Sequence, residues 1–289
     1  MGKGELSLDW PLLNRVCTSR LAIEMSDTHM HARLSPQTLY ALKRHNLLFG
    51  WWTGYISLED VENYYRVSIG DESIHIINPN RWRRYRRGVT RQLLRLAYTY
   101  GALSCADSFY GKVVLDIGAN IGEFSLFAYS KGAHVIAFEP DPLTLKVLHK
   151  NIGERKIRVI EKALWKETTR LPLYSAPLQS DSGIIPPPQY DKILEIDAVK
   201  LDDVTADLGL TSIYFIKGDA EGAEPEVLLG ARTTLKKTQF IALDCGPERQ
   251  GRTTVRDTTD ILTELGFTVR RLKRRRTILF GTNHHTQID

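Results

Sequence analysis

The middle of the chain alternates between short apolar runs and polar ends in a way that predicts strands and helices. One apolar run covers residues 113–115 and ends on Asp116, and another covers residues 135–138 and ends on Glu139. A glycine-rich turn at 118–122 follows the first run, and apolar residues then return at helical spacing. Strand, turn, helix and strand in this order predict half of a βαβ unit of the kind that binds nucleotides.

Further apolar runs predict the remaining strands of a larger sheet, at residues 157–160, 213–216, 240–243, 267–272 and 277–280. Apolar residues stepping by four predict one helix over 223–235, and Thr254 with Asp257 predicts a capping box for a later helix. The last two runs are joined only by a short basic turn, which predicts an antiparallel hairpin. We therefore expect an α/β fold with a doubly wound, Rossmann-like, mostly parallel seven-stranded sheet.

The first part of the chain follows a different pattern. Ser35 and Pro36 predict the start of a helix that runs to about residue 48. Alternating residues at 63–69 and 72–77 predict a β-hairpin around the intervening Gly-Asp turn. We expect an α+β accessory region at residues 1–80, followed by the main domain at residues 81–289.

Two neighbouring tryptophans, Trp51 and Trp52, follow the first predicted helix. Paired aromatic rings of this kind commonly close a small core, which is the interpretation we favour. An aromatic platform for a sugar is the alternative.

Composition narrows the class of protein. The chain has 289 residues, of which 42% are hydrophobic, and carries a net charge of +5. It contains no apolar run of the roughly 18 residues that a membrane span needs, and its first residues are too polar for a signal peptide. The three cysteines, Cys17, Cys105 and Cys245, are scattered and odd in number, which favours reduced thiols and a cytoplasmic location.

The glycine turn favours S-adenosylmethionine over a dinucleotide as the cofactor. A dinucleotide fingerprint has the pattern G-x-G-x-x-G, whereas this turn begins with a strand-end carboxylate and reads D-x-G-A-N-x-G. Asp116 can lie near the cationic end of the cofactor, and Glu139 can accept hydrogen bonds from its ribose. The adenine ring is expected beside Ala163 and Leu164. The predicted cofactor-binding residues are Asp116, Gly118, Ala119, Asn120, Gly122, Glu139, Pro140, Ala163 and Leu164.

Acids follow the fourth predicted strand of the sheet. Open α/β sheets bind ligands at the carboxyl ends of their strands, so we expect Asp219 to act as a base or substrate anchor, Glu221 as its partner and Glu224 as a weaker third catalytic acid. The alternative is that these acids stabilise the start of a helix. A metal variant is also open, in which Asp219 and Asp244, on adjacent strand ends, hold Mg²⁺ and lower the pKa of acceptor hydroxyls.

Three stretches resemble the FkbM family of S-adenosylmethionine-dependent methyltransferases. They are LDIGANIGEFS with AFEPDP, VKLDDV at 199–204, and FIKGDAEGAEPEVLLGA at 215–231. The resemblance covers about residues 84–272, and it implies a class I methyltransferase fold whose sheet closes in an antiparallel hairpin. It further implies O-methylation, often of a small-molecule sugar, a glycan or a glycosylated metabolite. Gly218 departs from the family pattern, since members more often carry an aliphatic residue there.

Two other functions remain open at this point. The basic clusters at 81–87 and 270–276 are compatible with nucleic acid, and an RNA ribose 2′-O-methyltransferase would need a lysine base, for which Lys217 is the candidate. The second open function is that of a non-catalytic binding module with the same fold. The loop at 179–190 is a candidate mobile substrate flap, with a plain surface insertion as the alternative that we favour. Tyr98 or Tyr100 is a candidate to cover the cofactor.

Overall fold

The computed structural model describes residues 34–284, and predictions for residues 1–33 and 285–289 lie outside this range. A three-stranded antiparallel sheet is followed by a seven-stranded, mostly parallel sheet, and a second three-stranded sheet lies beside it. The α-helices are α1 Pro36–Thr53, α2 Val89–Thr99, α3 Glu123–Ser130, α4 Pro142–Ile152, α5 Leu201–Asp207, α6 Glu224–Leu229, α7 Arg232–Lys236 and α8 Val255–Glu264.

Thirteen strands accompany these helices in the described part of the chain. They are β1 Ile56–Val61, β2 Tyr64–Ile69, β3 Glu72–Ile76, β4 Val113–Ile117, β5 His134–Phe138, β6 Arg158–Ile160, β7 Ala163–Leu164, β8 Thr169–Ser175, β9 Lys192–Val199, β10 Ile213–Gly218, β11 Thr238–Asp244, β12 Phe267–Arg271 and β13 Ile278–Asn283. Short 3₁₀ turns cover Pro79–Arg84, Ala102–Ser104 and Ala106–Ser108.

The large sheet confirms the predicted fold class. Its strand order is β12-β13-β11-β10-β4-β5-β6. Strand β10 pairs in parallel with β4 and β11, whereas β13 runs antiparallel to both β11 and β12, as the predicted terminal hairpin requires. The chain order reverses between β4 and β10, which is the point where open α/β sheets form a ligand crevice at their carboxyl edge.

Aromatic side chains fill the core beneath this crevice. Phe124 of α3 stacks on Phe215 of β10 with ring centroids 5.8 Å apart. Phe109 meets the ring of Phe215 at 5.6 Å, and all three side chains are fully buried. Burying rings of this size stabilises the fold, and pairs in such geometries add roughly 0.5–1.5 kcal/mol each. The packing therefore holds β4, β10 and α3 as one rigid support for the crevice.

The accessory region contains the predicted helix and hairpin. The Ser35 side chain accepts a hydrogen bond from the backbone of Thr38 at 3.2 Å, so the predicted cap of α1 is confirmed. The helix extends beyond the predicted end to Thr53, and β1 is a strand that the pattern did not predict. Trp51 and Trp52 lie in the last turn of α1 with 74% and 78% of their surfaces exposed, so the prediction that they close a core was wrong.

One side chain connects the accessory sheet to the main domain. Asn151 of α4 accepts from the backbone of His75 at 2.7 Å and donates to the His75 carbonyl at 3.0 Å. The same amide donates to the carbonyl of Ile121 at 2.8 Å. Ile121 and Val147 belong to the same apolar cluster as the accessory strands. The predicted boundary near residue 80 stays a prediction, but the two parts share a core.

Two local predictions fail, and one strand was not predicted. The predicted helix over 223–235 divides into α6 and α7 at Gly230, which caps the end of α6 and packs so closely against the carbonyl of Trp165 that an added Cβ would lie 2.1 Å from it. The capping box of α8 does not form, since the Thr254 hydroxyl donates instead to Glu224 at 2.9 Å. Strand β9, which pairs with β8 and β7, was not predicted.

Gly218, the departure from the family pattern, has a packing explanation. A Cβ at this position would lie 2.3 Å from Cδ2 of Leu243 on the neighbouring strand β11. The leucine thus occupies the space that an aliphatic side chain at 218 would need, and the register of β10 and β11 is retained.

Candidate functional site

Two connected cavities lie at the carboxyl ends of β4, β5 and β10. The inner cavity has an apolar wall and reaches between β5 and α6, where it is lined by Phe138, Pro140, Ala163, Leu164, Leu173 and Val227. The outer cleft is polar and opens to solvent beside the end of β11. Among the predicted cofactor residues, Gly118 and Glu139 line both the inner cavity and the outer cleft, and Ala119 and Asn120 line the cleft.

The turn after β4 has room for no side chain at its first glycine. Gly118 has a φ of 65°, and a Cβ there would lie 1.9 Å from the backbone oxygen of Asp219. The Asp219 backbone in turn donates to the carbonyl of Ile117 at 3.1 Å. Two strand ends therefore approach each other closely, which brings Asp219 to the cavity. Gly122 also has a positive φ, but it begins α3 against Leu148 and does not line the cavities.

Glu139 is buried between the glycine turn and the start of α4. Its Oε2 accepts from the backbone of Asn120 at 2.8 Å, and its Oε1 accepts from the backbone of Asp141 at 3.0 Å. Burial raises the pKa of Glu139 from 4.5 to about 7, although both backbone hydrogen bonds act in the opposite direction. Each carboxylate oxygen has a further lone pair, and the residue borders both cavities.

Asp116 does not lie where the sequence analysis expected it. Its carboxylate is fully buried beneath the cavities, with Oδ2 accepting from the Ser125 hydroxyl at 2.6 Å and Oδ1 lying 3.1 Å from Nζ of Lys217. It lines neither the inner cavity nor the outer cleft. The expected contact between Asp116 and the cofactor is therefore replaced by an ion pair that orients Lys217.

Lys217 is used entirely within the fold. Its ammonium group donates to the carbonyls of Ile117 and Gly118, at 3.0 and 2.6 Å, besides pairing with Asp116. Only about 5% of its side chain is exposed. The three N–H groups of the ammonium each have an acceptor, and these contacts hold the carboxyl end of β4 in place. The side chain of Lys217 thus stabilises the glycine turn.

Asp219 is the predicted residue that borders every part of the site. It lines the inner cavity. It also lines both of the neighbouring pockets that together form the outer cleft. Its Oδ2 accepts from the hydroxyl of Tyr100 at 2.7 Å and from Nη1 of Arg276 at 2.8 Å. Burial alone would raise the pKa of Asp219, but the charges of Arg276 and Lys217 hold it below its ordinary value. The carboxylate is thus ionised at neutral pH and in contact with both cavities.

Arg276 occupies the position that the metal hypothesis assigned to Mg²⁺. Its Nη1 lies 2.8 Å from Asp219 and 2.7 Å from Oδ2 of Asp244, and contacts the Tyr100 oxygen at 3.2 Å. The two carboxylates therefore converge as predicted, but on a guanidinium. Within residues 34–284 no cluster of three or more His, Cys, Asp or Glu side chains is arranged to hold a metal ion.

The other two predicted acids have different environments. Glu221 lines the outer cleft with a φ of 49°, and burial together with the charge of Asp219 raises the pKa of its carboxyl far above the ordinary value. Glu224 is 1% exposed and accepts from the backbone of Ala220 and of Gly222, at 3.1 and 3.2 Å. The expected catalytic role of Glu224 is not supported, because its carboxylate faces the loop and not the cavities.

The loop predicted to be a flap covers the site. Its residues 180–182 line the outer cleft, and Ile184 lines the inner cavity. Ser182 donates to Asp141 at 3.0 Å, while Asn78 of the accessory region donates to the carbonyl of Leu178 at 2.9 Å. The Arg81 guanidinium also contacts the Gln179 carbonyl. Mobility of the loop stays a prediction, but its anchors connect it to the accessory region.

Sequence reasoning missed the pairing of Tyr100 and Arg276 with Asp219. Tyr100 was expected to cover the cofactor, yet it is fully buried beneath the outer cleft. Tyr98 is exposed and lies under the guanidinium of Arg274 at 3.8 Å. Arg276 belonged to a basic cluster that was considered for nucleic acid. In a run of basic residues, the sequence alone gives no indication that one arginine points towards the interior of the domain.

The chain is similar in sequence to a methyltransferase family and to several curated proteins. The family described as the methyltransferase FkbM domain matches residues 116–269. The 2-O-methyltransferase NoeI of Sinorhizobium fredii is 29% identical over 171 residues, covering 52% of this chain and 70% of that protein. The 31-O-demethyl-FK506 methyltransferase FkbM of Streptomyces tacrolimicus is 31% identical over 154 residues, covering 42% of this chain and 59% of that protein.

A solved structure gives a more distant likeness. Magnesium protoporphyrin IX methyltransferase (ChlM) from Synechocystis with bound SAM shares 13% identity with a TM-score of 0.40, over 70% of this chain and 83% of that one. A likeness of this degree carries no argument about function.

In the described range, no helix is long and apolar enough to cross a bilayer.

The family match spans more than half of the chain and contains the glycine turn, Glu139, Asp219 and Asp244. The chain therefore belongs to the FkbM methyltransferase family, a family of S-adenosylmethionine-dependent O-methyltransferases.

Proposed function

We propose that this protein transfers a methyl group from S-adenosylmethionine to a hydroxyl of a sugar, a glycan or a glycosylated small molecule, with Asp219 as the base. The observation that carries the proposal is the position of Asp219, whose carboxylate borders both the inner cavity and the open outer cleft. A hydroxyl entering from solvent would meet this carboxylate before it meets the inner cavity.

The residues of the inner cavity fit the cofactor. An apolar wall that includes Phe138 and Leu164 suits a planar adenine ring, and the Glu139 carboxylate beside it has free lone pairs for ribose hydroxyls. The close approach at Gly118 leaves backbone, and no side chain, at the junction of the cavities. When bound, the cofactor supplies an electrophilic methyl group on a sulfonium.

The protein contributes alignment and a proton acceptor. A sugar hydroxyl is a weak nucleophile that must lose its proton during attack, and an ionised carboxylate within hydrogen-bond reach can accept it. Arg276 keeps Asp219 ionised, and Tyr100 donates to the same oxygen and fixes its direction. Glu221 retains its proton because its pKa is raised, so it acts as a hydrogen-bond donor to the acceptor and not as a second base.

The outer cleft has the character of a polyol site. Its lining includes Asp181, Glu221 and Glu248 besides Asp219 and Asp244. Carboxyl oxygens are good partners for several hydroxyls of one sugar ring. The name of the Sinorhizobium relative, a 2-O-methyltransferase, gives further support for an oxygen acceptor.

The contacts of the basic residues weigh against an RNA ribose acceptor. Lys217, the lysine that such a mechanism would use as base, is bound to two carbonyls and Asp116. In the cluster at 270–276, Arg276 pairs with Asp219 and Asp244, and Arg270 lies over the Phe280 ring at 5.2 Å. Lys217, Arg276 and Arg270 are thus engaged within the fold, and Lys217 is poorly placed to act as a base.

Cofactor turnover measured over a panel of sugars, nucleotide sugars, oligosaccharides and short RNAs tests the proposal. We expect turnover with a sugar-bearing acceptor that EDTA does not reduce, since a guanidinium stands between the two carboxylates. The Asp219→Asn variant should bind the cofactor normally in calorimetry but lose about 10²–10⁴-fold in turnover. Asp257→Asn, a change at an exposed aspartate of α8, is the matched control and should have no effect.

Three results would overturn parts of this proposal. Undiminished turnover in Asp219→Asn would remove this residue as the base. Turnover with RNA alone would replace the sugar acceptor. Absence of any calorimetric signal with S-adenosylmethionine would favour the non-catalytic binding module.

A further inference from the structure

Helix α1 presents an apolar stripe to solvent that no described residue covers. Tyr40, Leu47 and Trp51 fall on one side of the helix at spacings of seven and four residues, and they are 68%, 63% and 74% exposed. Leu48 and Trp52 extend the stripe along the last two turns, with 48% and 78% exposed. Contiguous apolar surface of this extent commonly marks a binding surface.

Positive charges surround this stripe. Lys43 and Arg44 lie on the exposed side of α1, between the apolar residues. Arg86 and Arg87 are exposed as well, and they line an open cavity together with Trp52. None of these four basic side chains forms an ion pair with a carboxylate of residues 34–284.

The exposed residues of α1 and the two arginines together form what we call the basic aromatic face, composed of Tyr40, Lys43, Arg44, Leu47, Leu48, Trp51, Trp52, Arg86 and Arg87. Tryptophan and tyrosine rings favour the boundary between lipid headgroups and acyl chains, and lysine and arginine favour anionic headgroups above it. A surface that carries both kinds of side chain can therefore contact the headgroups and the interfacial layer of such a bilayer together. We propose that the basic aromatic face docks this protein onto an anionic phospholipid bilayer.

Charge complementarity favours an anionic bilayer over a nucleic acid or a second copy of the chain as the partner of this face. A nucleic acid would use the arginines, but it would leave the aliphatic side chains of Leu47 and Leu48 in water. A second copy of the chain would bring four positive charges, which form no ion pair within residues 34–284, against those of the other face. An anionic bilayer satisfies both features, because its headgroups neutralise the charges and its interface accepts the rings and leucines.

The position of the face gives docking a consequence for the enzyme. Arg81 and Arg84 line the outer cleft, and Arg86 and Arg87, only a few residues further on, belong to the face. Fully buried Tyr85 fixes the segment between them by donating to Glu123 at 2.8 Å. Docking would therefore hold the segment that lines the cleft within a few residues of the bilayer, and an acceptor attached to a lipid would be close to this segment. This consequence rests on the proposed function, whereas docking itself does not.

Co-sedimentation of the full chain with vesicles tests docking without any measurement of turnover. We expect binding to vesicles of phosphatidylcholine mixed with phosphatidylglycerol, much weaker binding to phosphatidylcholine alone, and weakening of the former by salt. Trp51→Ala with Trp52→Ala, and separately Arg86→Glu with Arg87→Glu, should each lower the affinity at least about tenfold. These side chains are exposed, so the thermal unfolding of both variants should match that of the parent protein.

Two control variants separate docking at this face from general attraction of a basic protein. Lys131→Glu with Lys156→Glu makes the same charge change at exposed positions outside the basic aromatic face, and Tyr110→Ala removes a ring outside the face that is 82% exposed. Both controls should bind vesicles nearly as well as the parent protein.

Several outcomes would overturn the proposal. One is an equal loss of binding in the lysine control and the arginine variant, which would mean that net charge alone acts. Another is a full chain that does not bind anionic vesicles, which would mean that something else covers the face. A dimer in sedimentation velocity that the tryptophan variant dissociates would identify a second copy as that partner. Saturable RNA binding lost in both variants would identify a nucleic acid.

Discussion

The guanidinium of Arg276 lies 2.8 Å from the carboxylate of Asp219, on the edge of the sheet where the reacting groups are expected to meet. The two residues are 57 positions apart, and the arginine arrives from the turn between β12 and β13. Their contact holds the pKa of Asp219 below its ordinary value although burial acts in the opposite direction. The protonation state of the proposed base therefore depends on a residue that is distant in sequence and lies near the C-terminal end of the domain.

Removal of this arginine should change the pH dependence of turnover. In Arg276→Ala the pKa of Asp219 rises, because burial is no longer opposed by the nearby cation. The acid limb of the kcat/KM profile should therefore move to higher pH. Arg274→Ala, in the same turn but stacked on Tyr98, should leave the profile unchanged. A profile that keeps its acid limb in Arg276→Ala would contradict the assigned role.

Loss of the Tyr100 hydroxyl should weaken catalysis more than folding. Tyr100→Phe retains the buried ring against Phe124 but removes the donor that lies 2.7 Å from Asp219. Hydrogen bonds to charged groups contribute roughly 1.5–3 kcal/mol, so we expect a fall in kcat of about ten- to a hundredfold. Tyr98→Phe is the matched control on the same helix. Equal kcat values in the two variants would show that the hydroxyl of Tyr100 does not act on the base.

Glu139 should couple cofactor binding to pH-dependent stability. Its folded-state pKa of about 7 exceeds the ordinary 4.5, so the folded protein binds the extra proton and stability falls as pH rises through this window. Above about pH 7, the buried Glu139 carboxylate lowers the free energy of unfolding by on the order of 3 kcal/mol. Glu139→Gln cannot ionise, so its melting temperature should fall less between pH 5 and 8 (about the window of the shift) than that of the parent protein.

The same Glu139→Gln variant should bind S-adenosylmethionine at least about tenfold more weakly, because a carboxylate that accepts from the ribose is replaced. Calorimetry and thermal unfolding on one preparation measure both effects. Identical pH slopes of melting temperature in the two proteins would exclude the raised pKa. Unchanged cofactor affinity would exclude the ribose contact.

Gly118 should tolerate no side chain, whereas a glycine of similar backbone conformation should. Gly118→Ala places a Cβ 1.9 Å from the Asp219 backbone, so the ends of β4 and β10 must separate. Gly111 has a φ of 70° and nothing within 4 Å of an added Cβ. Gly111→Ala should cost only about 1–2 kcal/mol of backbone strain, and Gly118→Ala distinctly more, together with loss of cofactor binding. Chemical unfolding of both variants compares them, and equal costs would contradict the predicted clash.

Much of the fold follows from local pattern. The runs that became β4, β5, β10 and β11 are apolar because both faces of a parallel sheet are covered, and their polar ends mark the carboxyl edge. Order along the chain then implies which ends meet, so Glu139 and Asp219 could be predicted to lie at one crevice. The sheet of β7, β8 and β9 was harder to predict, because β9 alternates with charged residues that leave its pairing unspecified.

What the sequence determined by itself is the βαβ framework, the glycine turn and the set of acids at strand ends, since these depend on periodicity and on residues a few positions apart. Only the tertiary structure decided which charges neutralise each other. It buried Asp116 against Lys217, turned Arg276 towards Asp219 and Asp244, and left Trp51 in solvent. Such pairings join residues about 30 to 100 positions apart, and local spacing carries no information about contacts at that separation.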